Sequence, residues 1–521
     1  MKNILVNIME KNKTDKKWLV LIAVALSTFL ISLDSTFMSV SLNSLVLDLN
    51  TTISTVQMII TFYTLITASL MLITSKLMDI IGKKQVFIIG AVSFGIGTII
   101  ATISQNSLML FIGWSLFEGI GAAFMLPATI SIISGTYKDD DLTLGLAIMS
   151  ALGGIAAAIG PLFGGFVTSF LSWRIGFAVE LIIVLVILTL SKNIYNFKTN
   201  LLKSDFDIVG SILSIVALIM LVLGILNLDS FSEYKLTLIM IIISIILLVI
   251  FYFFEKYRIN NSLEPLFDIR ILKSAPNLSK GSLIRLISMI GVAGIIFTIS
   301  LYLQMVMNVD AFTNGLVLMP ATIGLLIFSL ISTKLVKKFS HRTLISSGFI
   351  ISIIGLIILR PVFGLDTNLY SLIPGMFIFG AGMGFVNALS LDSCLVNVED
   401  SKQTNASGFI TTCTNLGSSL GTALMGTILI IGAVSGLHKG IIEYYPSQIS
   451  NQQFFSNLSF YVQKMGNVNI SSLSGHVSEA SQIVNSVIYH AMLSAIDLLI
   501  VFMVIGLILS FFLKGKNSIK P

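Results

Sequence analysis

The chain has 521 residues, of which 55% are hydrophobic and 11% charged, with 31 Lys and Arg against 25 Asp and Glu. About 25% charged residues is usual for a soluble protein, so this chain has too little polar surface for a soluble globule, and its mean hydropathy of +0.96 agrees. Two cysteines (Cys394, Cys413) and four scattered histidines give no disulfide framework and no metal-ligand spacing.

A membrane-spanning helix needs about 20 mainly apolar residues. Fourteen such runs follow one another, near 18–42, 52–75, 86–104, 107–136, 143–171, 174–191, 207–228, 235–254, 282–307, 313–333, 343–360, 369–397, 405–434 and 486–513. None alternates like a strand, so helices are expected rather than a β-barrel. The first run is too long for a signal peptide and lacks a small-residue cleavage site. An even number of spans puts both termini on one side. That side carries 25 of the 31 Lys and Arg and the other carries five, with Arg285 just inside helix 9. The positive-inside rule makes the basic side cytoplasmic. The net charge of +6 is then a topology signal, and no nucleic-acid partner is expected.

The implied organisation is a cytoplasmic segment 1–17, a first six-helix bundle 18–192, a linker with an inserted helix pair 193–281, a second bundle 282–513 and a tail 514–521. Within the linker, 255–281 is amphipathic ("EPLFDIRILKS") and is expected to lie along the interface. An outer loop, 435–485, is polar with scattered aromatics; a short amphipathic hairpin fits it, and its Asn-x-Ser sequons read either as glycosylation sites or, in better accord with the Asn-, Ile- and Lys-rich composition, as the mark of an AT-rich prokaryotic genome.

Two pairs of strings recur at one spacing near 258 residues. "SKLMDIIGKKQV" (75–86) matches "TKLVKKFSHRTL" (333–344), and "GPLFGG" (160–165) matches "GSSLG" (417–421). Two repeated halves with a site between them describe a rocking transporter. In the first string, Asp79 with Gly82, Lys83 and Lys84 forms a tight turn that can latch one packed state; an ordinary basic turn is the plainer reading. In the second, Pro161 removes a backbone donor while Gly160, Gly164 and Gly165 allow close helix approach, or simple packing.

In order along the chain, "LDSTFMSVSLN", "SKLMDIIGKK", "FEGIGAAFMLPA", "GPLFGG", "SWRIGF", "FDIVG", "EPLFDIRILK", "LYLQMVM…GLVLMP" and "SGFITTCTNLGSSLGTA" resemble the fourteen-helix drug:proton antiporters of the major facilitator superfamily. The resemblance spans nearly the whole chain. It implies an all-α polytopic membrane protein with two six-helix bundles plus an inserted pair. The departures are specific. Ser39 stands where Asn is usual, Asn43 where Pro is, Ser75 where the first Gly of the helix 2–3 motif is, and Ile80 where a basic residue is. On helix 4, Ser115 replaces an Arg associated with proton relay, and Glu118 replaces Gln. On helix 6, Glu180 replaces Asn.

Asp34 lies about eight residues from the outer end of helix 1, and a carboxylate at mid-membrane costs roughly 2.5–3.5 kcal/mol on insertion scales. Glu118 lies at similar depth. The resemblance places helices 1 and 4 beside the central cavity, so Asp34 and Glu118 are expected to form an acidic pair there. Two carboxylates side by side in low dielectric do not both ionise, which leaves an exchangeable proton that a cationic substrate could displace. Each acid also has a purely structural reading, as a hydrogen-bonding group between helices. Glu180 and Asp497, on helices that the resemblance makes peripheral, are further proton or substrate candidates. Asp392 and Arg285 are expected to bridge as an inner gate, against simple snorkelling of Arg285. The 21 Met and 35 Phe suit either an adaptable cavity or lipid-facing surface.

The chain contains no phosphate-binding Gly-Lys-Ser/Thr loop and no nucleophile, redox or metal constellation. The expectation is a proton-coupled exporter in a prokaryotic cell membrane, a monomer working on hydrophobic and preferentially cationic small molecules. It would use protons and need no cofactor or metal. Two alternatives stand beside it: an exporter or flippase of an amphiphilic native substrate (a lipid, peptide or amino-acid derivative), and a non-transporting membrane sensor or scaffold.

Overall fold

In a bilayer each backbone N–H and C=O must be paired within the protein, which leaves a chain this apolar little but helix to form. A computed structural model describes residues 2–513 other than 138, 198, 200, 203–204, 227–233, 337, 366, 396–397, 400–401 and 445–476. Among these residues, fourteen helices are long and apolar enough to cross a membrane. They are α1 (Lys17–Val40), α2 (Ile53–Ile81), α3 (Lys83–Thr102), α4 (Ser107–Thr136), α5 (Leu152–Phe170), α6 (Trp173–Ser191) and α7 (Ile208–Leu226). The chain continues with α8 (Lys235–Asn260), α9 (Pro276–Val306), α10 (Ala311–Ser332), α11 (His341–Leu359), α12 (Leu369–Cys394), α13 (Asn405–Gly440) and α14 (Gln482–Ser510).

Short polar residues start many of them. Thr52, Asn106, Ser340 and Asp310 each accept a backbone N–H from the first turn of α2, α4, α11 and α10. Such caps satisfy donors that a helix start leaves open.

The halves repeat in contact pattern. Helix α1 packs on α5 and α6, α2 on α4, and α3 on α4 and α6; α9 packs on α13 and α14, α10 on α12, and α11 on α12 and α14. The bundles meet along two seams, α2 with α13 and α5 with α10. Each seam becomes the other when the halves are exchanged, as a pseudo-two-fold requires. At the end of the molecule away from the basic loops, here the far end, the halves are also hydrogen-bonded. Asn43 N donates to Gln304 at 2.9 Å, and Ser169 Oγ to Asp310 Oδ2 at 3.2 Å.

The inserted pair covers one seam. Helix α7 touches both α2 and α13, burying Leu218 and Val222 against Leu65, Leu420 and Ala423, while α8 packs mainly on α7 and has only 11% of its apolar window buried.

Two expectations about the connections change. The segment after α8, expected along the interface, packs on the bundle seam. It turns back after Asn260, forms only Ile271–Ser274, and buries Leu266 and Phe267 against Leu72 and Ile73 of α2. Phe267 stacks on Phe409 of α13 at 4.8 Å, and Glu264 pairs with the buried Lys76 of α2 at 2.8 Å. Leu266 and Phe267 are thereby covered by the seam. The loop expected at 435–485 is shorter, because helical structure continues to Tyr444 and resumes at Val477. The hairpin and the sequons expected within it lie outside the described residues, as does the tail.

A buried acid triad as candidate functional site

Asp34 of α1, Glu118 of α4 and Glu180 of α6 each offer a carboxylate oxygen within 4.8 Å of the others. All three have 0% exposure. At 1.5 Å per residue they sit roughly 9–17 Å along their helices from the far end, so three separate segments bring acids to one depth.

Their surroundings belong to the first bundle. Trp114 Nε1 donates to Asp34 Oδ1 at 2.7 Å. Tyr63 of α2 stacks on that indole at 5.1 Å, and Phe177 of α6 meets its edge. The Tyr63 hydroxyl faces Asp34 and feels all three acids, yet makes no hydrogen bond of good geometry. From α3, Thr98 faces Glu118, and Gly97 lies so close that a Cβ there would fall 2.6 Å from Glu118 Cγ.

Residues Phe111–Glu118 form π-helical turns. This wider winding, which recurs at functional sites, shifts the register of the next helical turns. It helps explain why Glu118 turns toward α3 and α6 instead of facing the space between the bundles. The expected acid pair is thus joined by Glu180 and buried within the first bundle. Ser115, at the position where the resemblance puts Arg, donates to the Ile59 carbonyl at 2.7 Å and joins α4 to α2.

The other candidates lie apart from the triad. Asp497 pairs with Arg360 through bonds of 2.8 and 3.2 Å, both side chains about half exposed. The expected Arg285–Asp392 bridge is not made. Arg285 Nε donates to Thr414 Oγ1 at 2.7 Å and Nη1 to the Asn387 carbonyl at 2.9 Å, whereas Asp392 bonds His341 Nε2 at 2.6 Å. Asp392 is about 1.4 turns closer to the basic end of its helix than Asn387, and it turns outward to α11.

The motif residues hold turns and close helix contacts. Gly82 has φ of +98°, a backbone region that favours glycine, and it allows the turn from α2 into α3. Lys83 donates to the Ser131 carbonyl and Lys84 to the Lys192 carbonyl, both at 3.0 Å, pinning that turn to α4 and α6. Asp79 stands among Lys76, Lys83 and Glu264. On α5, Gly160 and Gly164 meet Thr36 and Phe37 of α1, while Gly165 meets Ala311 and Phe312 of α10. Pro161 backs onto Gly315 of α10.

A model described as Major Facilitator Superfamily matches residues 24–194 and 208–422. The chain belongs to that superfamily. It is a transporter rather than an enzyme, and a multi-pass membrane protein. The multidrug efflux pump LfrA of Mycolicibacterium smegmatis is 26% identical over 421 residues, 79% of this chain and 81% of the pump. The quinolone resistance protein NorB of Staphylococcus aureus is 27% identical over 67% of this chain and 75% of its own. The riboflavin transporter RibZ of Clostridioides difficile is 25% identical over 86% and 92%. Among solved structures, a bacterial homologue of the human lysosomal transporter Spinster in its inward-facing, unoccupied conformation has a TM-score of 0.61 at 15% identity. It covers 96% of this chain and 98% of that one.

Sequence reading did not find Trp114 or Tyr63. A signal existed for Trp114, which lies one helical turn before Glu118 and, when buried, needs an acceptor for its indole N–H.

Proposed function

We propose that this transporter exports hydrophobic, preferentially cationic compounds in exchange for protons. Its membrane is a prokaryotic cell membrane, with the basic end and both termini in the cytoplasm. The supporting observation is the triad: three carboxyls within 4.8 Å, fully buried. Asp34 is the principal exchange group. Like charges this close in low dielectric do not all ionise, so the cluster takes up and gives up protons.

Because the triad lies inside the first bundle, the substrate binds elsewhere, between the bundles. Coupling then runs through α1 and α4, whose packing depends on the triad's charge. The bundles rock along the α2–α13 and α5–α10 seams, where the glycines of α5 let backbones slide closely. Exchange of one proton for one monovalent cation moves no net charge, so the pH difference drives it, and each pH unit sustains about a tenfold cation gradient.

A second reading has its own support. The riboflavin transporter aligns over a larger share of both chains than the efflux pumps do, which favours an amphiphilic native substrate with the same coupling.

The test uses purified protein in liposomes under a pH gradient. Ethidium addition releases protons with the wild type and not with Asp34→Asn. Silence across several lipophilic cations, with proton movement on adding flavin-like amphiphiles, selects the second reading. Silence with both classes rejects proton coupling.

A further inference from the structure

Arg285 lies nine residues inside α9, about 13 Å from its basic end, and no other Lys or Arg among the described residues stands so deep in a span. Ionised side chains at such depth mark substrate or ion paths. Two neutral acceptors hold Arg285, Thr414 Oγ1 and the Asn387 carbonyl, and no carboxyl faces it. Those bonds orient the guanidinium and leave its charge whole. Ser288 donates to Asn387 Oδ1 at 2.8 Å and fixes that amide beside it. Among the described residues, Arg285 Nη2 and Asn387 Nδ2 make no hydrogen bond. Both side chains are partly exposed.

These donors open toward the space between the bundles. Helix α13 is covered by α9 at Gly417, by α2 at Ser419 and by α7 at Thr427. Its remaining side, with Thr411 and Ser418 next to Thr414, is partly exposed and is flanked by α2 of one bundle and α9 of the other. On α9, Arg285 shares a face with Met289, Val292 and Ile296, one, two and three turns further in and all partly exposed. The rest of that helix is covered by α12 at Ser288, α13 at Leu286 and α14 at Gly291.

We infer that Arg285, with Asn387 Nδ2, receives a carboxylate on the substrate, so that the exported compound is an amphiphile bearing one acidic group. It is a zwitterion when its apolar body also carries a basic one. The guanidinium fork matches a planar carboxylate and neutralises a single charge. A dianionic phosphate would keep a charge in low dielectric, because no second Lys or Arg reaches this place. The apolar body lies along Met289, Val292 and Ile296. The inference rests on the reading that substrate binds between the bundles, and it adds a chemical class to that reading. Exchange of a zwitterion for one proton moves one net charge, so this transport responds to membrane potential as well as to pH.

The test is equilibrium binding, by fluorescence anisotropy, to purified protein in lipid nanodiscs at neutral pH. The probes are rhodamine 110, which has a free carboxylate, and rhodamine 123, its methyl ester. The quantity read is the ratio of the two dissociation constants. The wild type should favour the acid by about tenfold or more. Arg285→Lys should keep part of that preference, and Arg285→Gln should abolish it. Asn387→Ala, which spares the guanidinium, should lower it and carries the test should Arg285→Gln fail to fold. An equal ratio in wild type and variants overturns the inference and leaves Arg285 a structural pin. A wild type that binds the ester alone, or neither dye, also overturns it. Proton release in liposomes reads out separately. A carboxylate preference without proton release on adding either dye defeats antiport and leaves the Arg285 assignment standing. Proton release with the ester alone does the reverse.

Discussion

The two six-helix bundles share a contact pattern and differ in how they treat charge. In the second bundle, Arg285 is held by Thr414 and the Asn387 carbonyl, Asp392 bonds His341, and Asp497 pairs with Arg360. In the first, three acids meet with one indole N–H between them. A satisfied charge is fixed in one state, while an unsatisfied cluster has alternatives in protonation. The repeat supplies two rigid bodies, and the first of them holds a cluster of ionisable groups left without fixed counter-charges.

The contrast predicts unequal responses. The largest is at Asp34: Asp34→Asn should bring substrate-driven proton release to background in liposomes, and residual release near the wild-type level would break the contrast.

Next is Gly164. A Cβ there would sit 2.6 Å from the Phe37 carbonyl oxygen, so Gly164→Leu should force α5 from α1. Overpacking of this kind costs about 1–3 kcal/mol. A lowered melting temperature together with lost transport is expected, and an unaltered melt would show that the helices have room.

In the second bundle, Arg285→Ala should destabilise by roughly 1.5–3 kcal/mol through lost charge-assisted hydrogen bonds. Combining Arg285→Asp with Asp392→Arg should not rescue either single reversal. Rescue would mean that the two residues bridge in another conformation.

A smaller effect lies at the far end. Burial alone would push the Asp310 carboxyl up, but donors from Thr313, Ser169 and Phe312 outweigh it and hold it below the usual carboxylate range. A lowered folded value gives stability that is present above about pH 4, the ordinary Asp value, and lost as pH falls through the lowered one. The Ser169–Asp310 link between the bundles should weaken only in acid, which melts of wild type and Asp310→Asn across that window would reveal. Smallest of all, Asp497→Asn removes a half-exposed pair and should leave transport unchanged.

Much of this was readable from residues. Fourteen apolar runs and the paired Lys- and Gly-containing strings pointed to the architecture. Asp34 and Glu118 were expected together because their depths agree. Glu180 was less legible: its depth also agrees, but a helix at the edge of its bundle gives no sign of which face turns inward. The π turns before Glu118 escaped because spacing arguments assume 3.6 residues per turn. The path of 261–275 escaped because an amphipathic string reads alike whether its apolar face meets lipid or a helix seam.

That path has a consequence for how the inserted helices could be lost or gained. Lys76 is 3% exposed, and its salt-bridge partner, Glu264, arrives with the chain that follows α8. Splicing α6 directly to α9 would trim the protein to twelve helices and strand an ammonium group inside the seam. A shortened descendant would have to change Lys76 in the same step, so the lysine and the insert should be inherited, or discarded, together.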